Sequence, residues 1–496
     1  MSASPAPTTS PISAPAPAAR PDLPQVIQGG MGMGVSSWRL ASAVARTGQL
    51  GVVSGTGLDL MLARRLQDGD ADGSMQRALA AFPVPGAAAR ILKKYFRTGG
   101  RPAGTPYRPI PKLTLKQSAH AQELTIAGNF VEVWLAKEGH GGVIGINFLE
   151  KIQMATPASA YGAMLAGVDY VLMGAGLPRD IPHLLDELAL HRPVVLPVDV
   201  HGAPAGAHGV TLDPAAFIPS GLPPLKRPVF LAIISAHVLA AYLARDEQIR
   251  PDGFVVEGPT AGGHNAPPRA KGAVDEHGHA VFGPRDLADL AKVAECGLPF
   301  WVAGGAGTPE GLRQAQTTGA VGVQVGTLFA LSQESGLTPE LRDDALAGIH
   351  AGTLAVDSNA RASPTGFPFK VARMAGTLAD PDVAAQRFRV CDLGFLGTPF
   401  VRADGVVGYR CPSEPVAVHL RKGGTLEDTV GRACLCNALT ANVGIGQTRP
   451  DGLVELPMIT LGDDLGGPRQ LADLYPAGWS AADAIEWLVT PAVALA

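Results

Sequence analysis

Four short glycine-rich segments and one histidine carry the residues best placed to do chemistry. The segments are Gln28-Gly29-Gly30-Met31-Gly32, Glu257-Gly258-Pro259-Thr260-Ala261-Gly262-Gly263-His264-Asn265, Ala303-Gly304-Gly305-Ala306-Gly307-Thr308 and Val325-Gly326-Thr327. Each follows an apolar run that reads as a strand. A phosphate needs several backbone N–H donors aimed at one spot, and glycine permits that approach without a Cβ in the way. One such turn is an ordinary strand–helix connection, but two at adjacent late strands point to a phosphate-bearing cofactor. His264 follows Gly262-Gly263 at a strand end, where it is placed to act as a general base, to position an anion, or to hydrogen-bond to the structure. His201 and His208 fall in the Gly/Pro-rich stretch HGAPAGAHG and read as exposed, whereas His237 opens a helical pattern. Cys391, Cys411, Cys434 and Cys436 supply a single C-x-C pair rather than the repeated pairs of a structural zinc site, so no metal is expected.

The elements that must position these turns alternate strand and helix. Candidate strands are Gln25–Gln28, Leu50–Ser54, Val143–Asn147, Asp169–Met173, Val194–Val198, Phe230–Ile234, Gly253–Glu257, Phe300–Ala303 and Gly322–Val325. Their near-continuous apolar character suits parallel strands covered on both faces. Helical patterns lie at Trp38–Thr47, Ile181–His191, Ala236–Arg245 and Pro284–Cys296, with Ser36 or Ser37 as the first N-cap. The repeated alternation implies an α/β fold, and glycine turns at several strand ends favour a TIM-type (β/α)8 barrel over an open doubly wound sheet. Nine strands are one too many for it. Val194–Val198 and Phe230–Ile234, separated by a Gly/Pro-rich excursion, are the pair expected to contain the extra one.

Composition bounds the alternatives. Of 496 residues, 61 are glycine and 43 proline, yet 46% are hydrophobic and 17% charged, which excludes a largely disordered chain. A formal charge of −4 gives no basic footprint for nucleic acid, no apolar run reaches the length of a membrane span, and no signal peptide is visible. A cytoplasmic enzyme with a small-molecule substrate is the expectation. Residues 1–21 read as a disordered Pro/Ala/Ser tail, 22–335 as the barrel with a helical insertion at about 58–142, and 336–496 as a C-terminal region packed on the barrel. Within that region Ala362–Lys370 (ASPTGFPFK) reads equally as a lid over the site or as a surface crossover, and Lys151 and Arg361 are candidate anion contacts.

The sequence resembles the nitronate monooxygenase (2-nitropropane dioxygenase) family of FMN-dependent barrel enzymes. The resemblance runs from about Gln25 to Phe329 and rests on IQGGMGMGVS, INF at Ile146–Phe148, EGPTAGGHN, AGG at Ala303–Gly305 and VQVGT at Val323–Thr327. It implies that Gly30 and Met31 lie beside the isoalloxazine ring and that Asn147 bonds to the flavin. It further implies that Gly262 and Gly263 line the ring, that Gly304, Gly305, Gly326 and Thr327 hold the phosphate, and that His264 is the active-site histidine. The implied reaction is oxidation of alkyl nitronates with O2. The stretches YGAMLAGVDYVLMGAG, APPR, ASPTGFPFK, YRCPSEP and GRACLCN are similar to a longer branch, the trans-acting FMN enoyl reductases of polyketide and polyunsaturated-fatty-acid synthases. That likeness implies an alternative, reduction of an enoyl thioester by NAD(P)H, with a homodimer or a synthase as the protein partner.

Overall fold

Eight of the nine expected strands close on one another as a parallel barrel. The structure is a computed structural model describing residues 23–490, so the tail assigned to 1–21 lies outside the described residues. Strands β1 (Val26–Gln28), β2 (Gly51–Ser54), β3 (Ile144–Leu149) and β4 (Tyr170–Gly174) enter the sheet in turn. The next two, β5 (Val194–Pro197) and β6 (Gly209–Leu212), pair only with each other as an antiparallel hairpin, which identifies Val194–Val198 as the extra strand. Strands β7 (Val229–Ile234), β8 (Gly253–Glu257), β9 (Phe300–Ala303) and β10 (Gly322–Val325) complete the barrel in the order β1-β10-β9-β8-β7-β4-β3-β2. A parallel bridge between Ile27 and Leu50 closes the last seam. There the Gln28 side chain replaces part of the ladder: its Oε1 accepts from the Val52 N–H at 3.0 Å, with Gln28 fully buried.

Alternation in the strands divides the apolar side chains between two cores. Ile27, Leu50, Val52, Leu172, Leu231 and Val255 fill the barrel interior with Trp301, whose indole N–H donates to the Pro24 carbonyl at 2.7 Å. The opposite strand faces pack on the helical ring. The helix Ala119–Lys137 packs between helices Leu58–Gln67 and Thr156–Leu165, which explains why its burial runs almost all round. The predicted helix Pro284–Cys296 is broken: a single turn at Pro284–Asp286 precedes Leu290–Ala294, because the Asp289 carboxylate accepts from the Lys292 N–H and starts a new helix.

The C-terminal region holds more strand than its sequence suggests. Hairpins β11 (Val356–Asn359) with β12 (Phe369–Ala372), and β13 (Thr398–Val401) with β14 (Val407–Arg410), stand among short helices. Strands of four residues are too short to display a period. This region shares a second core over the barrel mouth with Met33 and Ile152 of the barrel, contributing Phe369, Phe395, Leu435 and Met458, among others. Helices Gly466–Leu474 and Ala481–Val489 join the main core, where the buried Trp479 indole donates to the Leu328 carbonyl at 2.8 Å. No helix of the described residues is long and apolar enough to cross a membrane.

Candidate active site

Parallel strands in a closed barrel deliver all their C-terminal ends to one face, and the four glycine turns meet there. They surround a cavity of about 250 Å³ whose wall includes Gly30, Met31, Asn147, Gly262, Gly263 and His264. Gly304, Gly305, Gly326 and Thr327 line its far end. The residues named from the sequence for the flavin and for catalysis therefore face one space, whereas the candidate anion contacts Lys151 and Arg361 do not line it.

Each turn is held by specific contacts. The Ser36 hydroxyl donates to the Gly29 carbonyl and accepts from the Met31 N–H, both at 2.9 Å, so it braces the first turn instead of capping the helix Trp38–Ala45. Asn147 donates through Nδ2 to the Gly30 carbonyl at 3.1 Å. Those two backbones lie so close that a Cβ on Gly30 would come within 2.5 Å of the Asn147 Cβ. Gly304 and Gly305 adopt φ of 87° and 71°, a region that side chains avoid. Their N–H groups, with that of Gly326, donate to no acceptor among the described residues. The same turn runs into the helix Pro309–Thr317, whose N-cap is the Thr308 hydroxyl accepting from Gly311 at 2.9 Å. Free N–H groups beside a helix N-terminus form a phosphate cradle. Asn147 Oδ1 and Gln324 Oε1 are buried on the cavity wall without a hydrogen-bond partner. A planar, polar-edged ring system and a phosphate therefore fit this wall.

The wall's titratable groups are few. Among the described residues lining it there is no lysine or arginine, one imidazole (His264), two carboxyls (Glu257 and Asp464) and one thiol, Cys436, whose pKa burial pushes up. Burial, assisted by the nearby Lys151 ammonium, pushes the His264 pKa down to about 4, leaving a neutral imidazole at pH 7. Its Nε2 lies 2.7 Å from the Ser363 Oγ, and its ring packs edge-on to Phe369 with centroids 4.9 Å apart. Glu257, at the end of β8, has its pKa raised by burial to about 8.

Ser363 and Phe369 belong to the segment 362–370, which runs along the His264 turn. Asn265 N–H donates to the Pro368 carbonyl at 3.0 Å, and Lys370 N–H donates to the Gly263 carbonyl at 2.9 Å. Phe369 is 2% exposed and lines the cavity, so the segment covers the site. Of the candidate anion contacts, Lys151 pairs with Glu150 at 3.2 Å beside this cover, and Arg361 pairs with Glu427 at 2.7 Å outside the lining. Sequence reasoning missed the rest of the cover: Phe395, Leu396, Leu435, Leu439 and the loop Thr460–Asp464. That loop docks through two hydroxyls: Thr327 Oγ1 accepts from the Gly462 N–H at 2.9 Å, and Thr460 Oγ1 accepts from the Gly263 N–H at 2.8 Å. Its sequence, TLGDD, offers only one glycine as a signal.

Comparison with known proteins adds a family to this geometry. Residues 226–366, from β7 through the His264 turn and both late glycine turns to the cover segment, match the model of the family described as nitronate monooxygenase. Among solved structures, FabK from Thermotoga maritima is similar over 94% of this chain and 91% of its own, at 16% identity and a TM-score of 0.45. Nitroalkane oxidase from Streptomyces ansochromogenes covers 94% of each chain at 16% identity and a TM-score of 0.42. The enoyl reductase domain of MlnA from the macrolactin cluster of Bacillus amyloliquefaciens covers 94% and 93% at 13% identity and 0.47. No curated protein sequence matches the chain. With the family match laid over the barrel face just described, the chain is a flavin-dependent oxidoreductase similar to the nitronate monooxygenases.

Proposed function

We propose that the chain is an FMN-dependent enzyme that oxidises alkyl nitronates with O2. The observation that supports this best is a neutral imidazole, His264, facing a cavity walled by glycine turns within the segment that matches the family. Gly304, Gly305, Gly326 and Thr327 would hold the FMN phosphate through N–H groups and the helix N-terminus. Gly30, Met31, Asn147, Gly262 and Gly263 would line its ring. When bound, FMN supplies the redox chemistry that side chains lack.

The chain's own residues select and orient the substrate. A nitronate is an anion, and the lining offers it no ammonium or guanidinium. His264 meets it by donating a hydrogen bond, and the arriving negative charge favours proton uptake at the same imidazole. Ser363 fixes the ring by its contact at Nε2, and Phe369 and Leu435 shield the reacting atoms from water.

A second reading, NAD(P)H-dependent reduction of an enoyl thioester, is favoured by one feature. Glu257 holds its proton at neutral pH on the same cavity wall, and reducing a carbon–carbon double bond consumes a proton. Anaerobic titration of the FMN-loaded protein separates the two readings. Bleaching by propionate 3-nitronate but not by NADPH is expected. Bleaching by NADPH, followed by reoxidation with a crotonyl thioester, would replace the first reading with the second.

A further inference from the structure

We infer that a second cavity, behind the cover segment and within the C-terminal region, binds a phosphate-bearing organic ligand of nucleotide size. This cavity measures about 650 Å³ and shares none of its lining with the first. The segments 362–371, 433–436 and 458–460 lie between the two: Ala362, Cys434 and Met458 face the second, whereas Phe369, Cys436 and Thr460 face the first.

Its wall carries four arginines, Arg373, Arg387, Arg389 and Arg432, with His277 and His279 at one side and Asp357 as the single carboxylate. Two of the four are spoken for. Arg387 grips the buried Glu455 through two bonds of 2.7 and 2.9 Å, and Arg373 pairs with Asp357 at 2.8 Å. Asp357 is thereby neutralised, with His279 adding a contact at 3.7 Å. Arg389 and Arg432 have no carboxylate partner among the described residues. Arg389 donates only to the carbonyls of Pro412 (3.2 Å) and Thr429 (2.5 Å). Arg432 donates only to those of Asp428 (3.1 Å), Arg361 (2.9 Å) and Ser363 (2.5 Å).

Half-buried guanidinium groups without counter-ions cost free energy. Burial, then the neighbouring Arg387 charge, pushes the Arg389 pKa down; burial, then Arg361, does the same to Arg432. An anion with two or more acceptor oxygens relieves both, and the planar guanidinium fork suits phosphate best. The volume then sets the ligand's size. A bare phosphate leaves most of about 650 Å³ unfilled, and the remaining wall combines the apolar Val371, Leu378, Pro381 and Met458 with the polar Asn359 and Ser413. A base or other flat group attached to the phosphate matches that face. The second cavity would bind its ligand whichever reaction the first performs.

Isothermal titration of the full chain, carrying its one tightly held FMN and freed of excess FMN by gel filtration, tests the inference. The probes are adenosine 2′,5′-bisphosphate, adenosine 3′,5′-bisphosphate and inorganic phosphate. One bisphosphate is expected to bind once per chain and more tightly than inorganic phosphate. A preference for the 2′ form indicates an NADP-type ligand, and one for the 3′ form a coenzyme A-type ligand. Arg389→Gln is expected to weaken that binding at least tenfold. Arg373→Gln, at the exposed rim, also weakens it by freeing the Asp357 charge. Bisphosphates that bind no better than inorganic phosphate, or a dissociation constant within twofold of the parent in both variants, overturns the assignment.

Discussion

His264 is neutral for a reason that can be edited one residue at a time. Its low pKa comes from burial first and from the Lys151 ammonium second. Lys151→Met removes the second cause only, so the imidazole pKa rises while staying below the usual histidine value. The ring-proton shift of His264, followed by NMR against pH, should move its midpoint upward from about 4; an unmoved midpoint rejects the Lys151 contribution. Removing the imidazole is the larger perturbation. If His264 carries the proton or hydrogen bond that the reaction needs, His264→Ala lowers kcat/KM by roughly 10² to 10⁴-fold with the bound-flavin absorbance unchanged. A loss below about threefold would place the ring in structure rather than catalysis. The sequence exposed this residue because a histidine after two glycines at a strand end has few other places to point. It gave no comparable sign of Ser363, which lies 99 positions away and touches His264 only through the fold.

The glycine turns show what elements can and cannot announce. All four were legible because a backbone that must approach a ligand admits almost nothing but glycine, and because each ends an apolar run. The barrel strands were legible for the same reason, being buried on both faces. Strands of the cover were not: Phe369–Ala372 has four residues, pairs locally with Val356–Asn359 and owes its place to the bridge between Phe369 and His264, which is distant in sequence. The extra strand, expected to be one of Val194–Val198 and Phe230–Ile234, is the first: Val194–Pro197 is apolar yet alternates buried and exposed, the pattern of a surface hairpin. In Gly304→Ala the new Cβ meets the Ala261 nitrogen at 2.9 Å, in a backbone region with φ of 87° that alanine avoids. The turn must shift, and the N–H cradle with it. The protein should fold but retain at least tenfold less FMN after gel filtration, read from its absorbance; full retention would move the phosphate away from this turn.

The barrel is not a free-standing unit within the whole molecule. Trp479, Ile485 and Leu488 belong to the same core as the strands, and the indole of Trp479 bonds to the Leu328 carbonyl. A chain ending at residue 335 exposes that core and should be recovered only in the insoluble fraction; a soluble, flavin-binding truncation would refute the dependence. The pH response of stability is also a property of the whole, because it compares the folded chain with the unfolded one. Glu257 titrates near 4.5 when exposed and at about 8 when folded, so unfolding releases its proton across that interval. Its favourable contribution is complete below pH 4.5 and is lost as pH rises through 8. His264 works in the opposite direction, from 6.5 when exposed to about 4 when folded, and its contribution is lost as pH falls through 4. Together they leave the protein most stable in mildly acidic solution. In Glu257→Gln the carboxyl can no longer ionise on unfolding, so the alkaline loss disappears while the acidic one remains. Melting curves of the parent and Glu257→Gln at pH 5, 7 and 9 should therefore diverge, with the variant gaining several degrees at pH 9 relative to its offset at pH 5. Parallel curves across that range would mean that Glu257 ionises as readily in the folded barrel as in water.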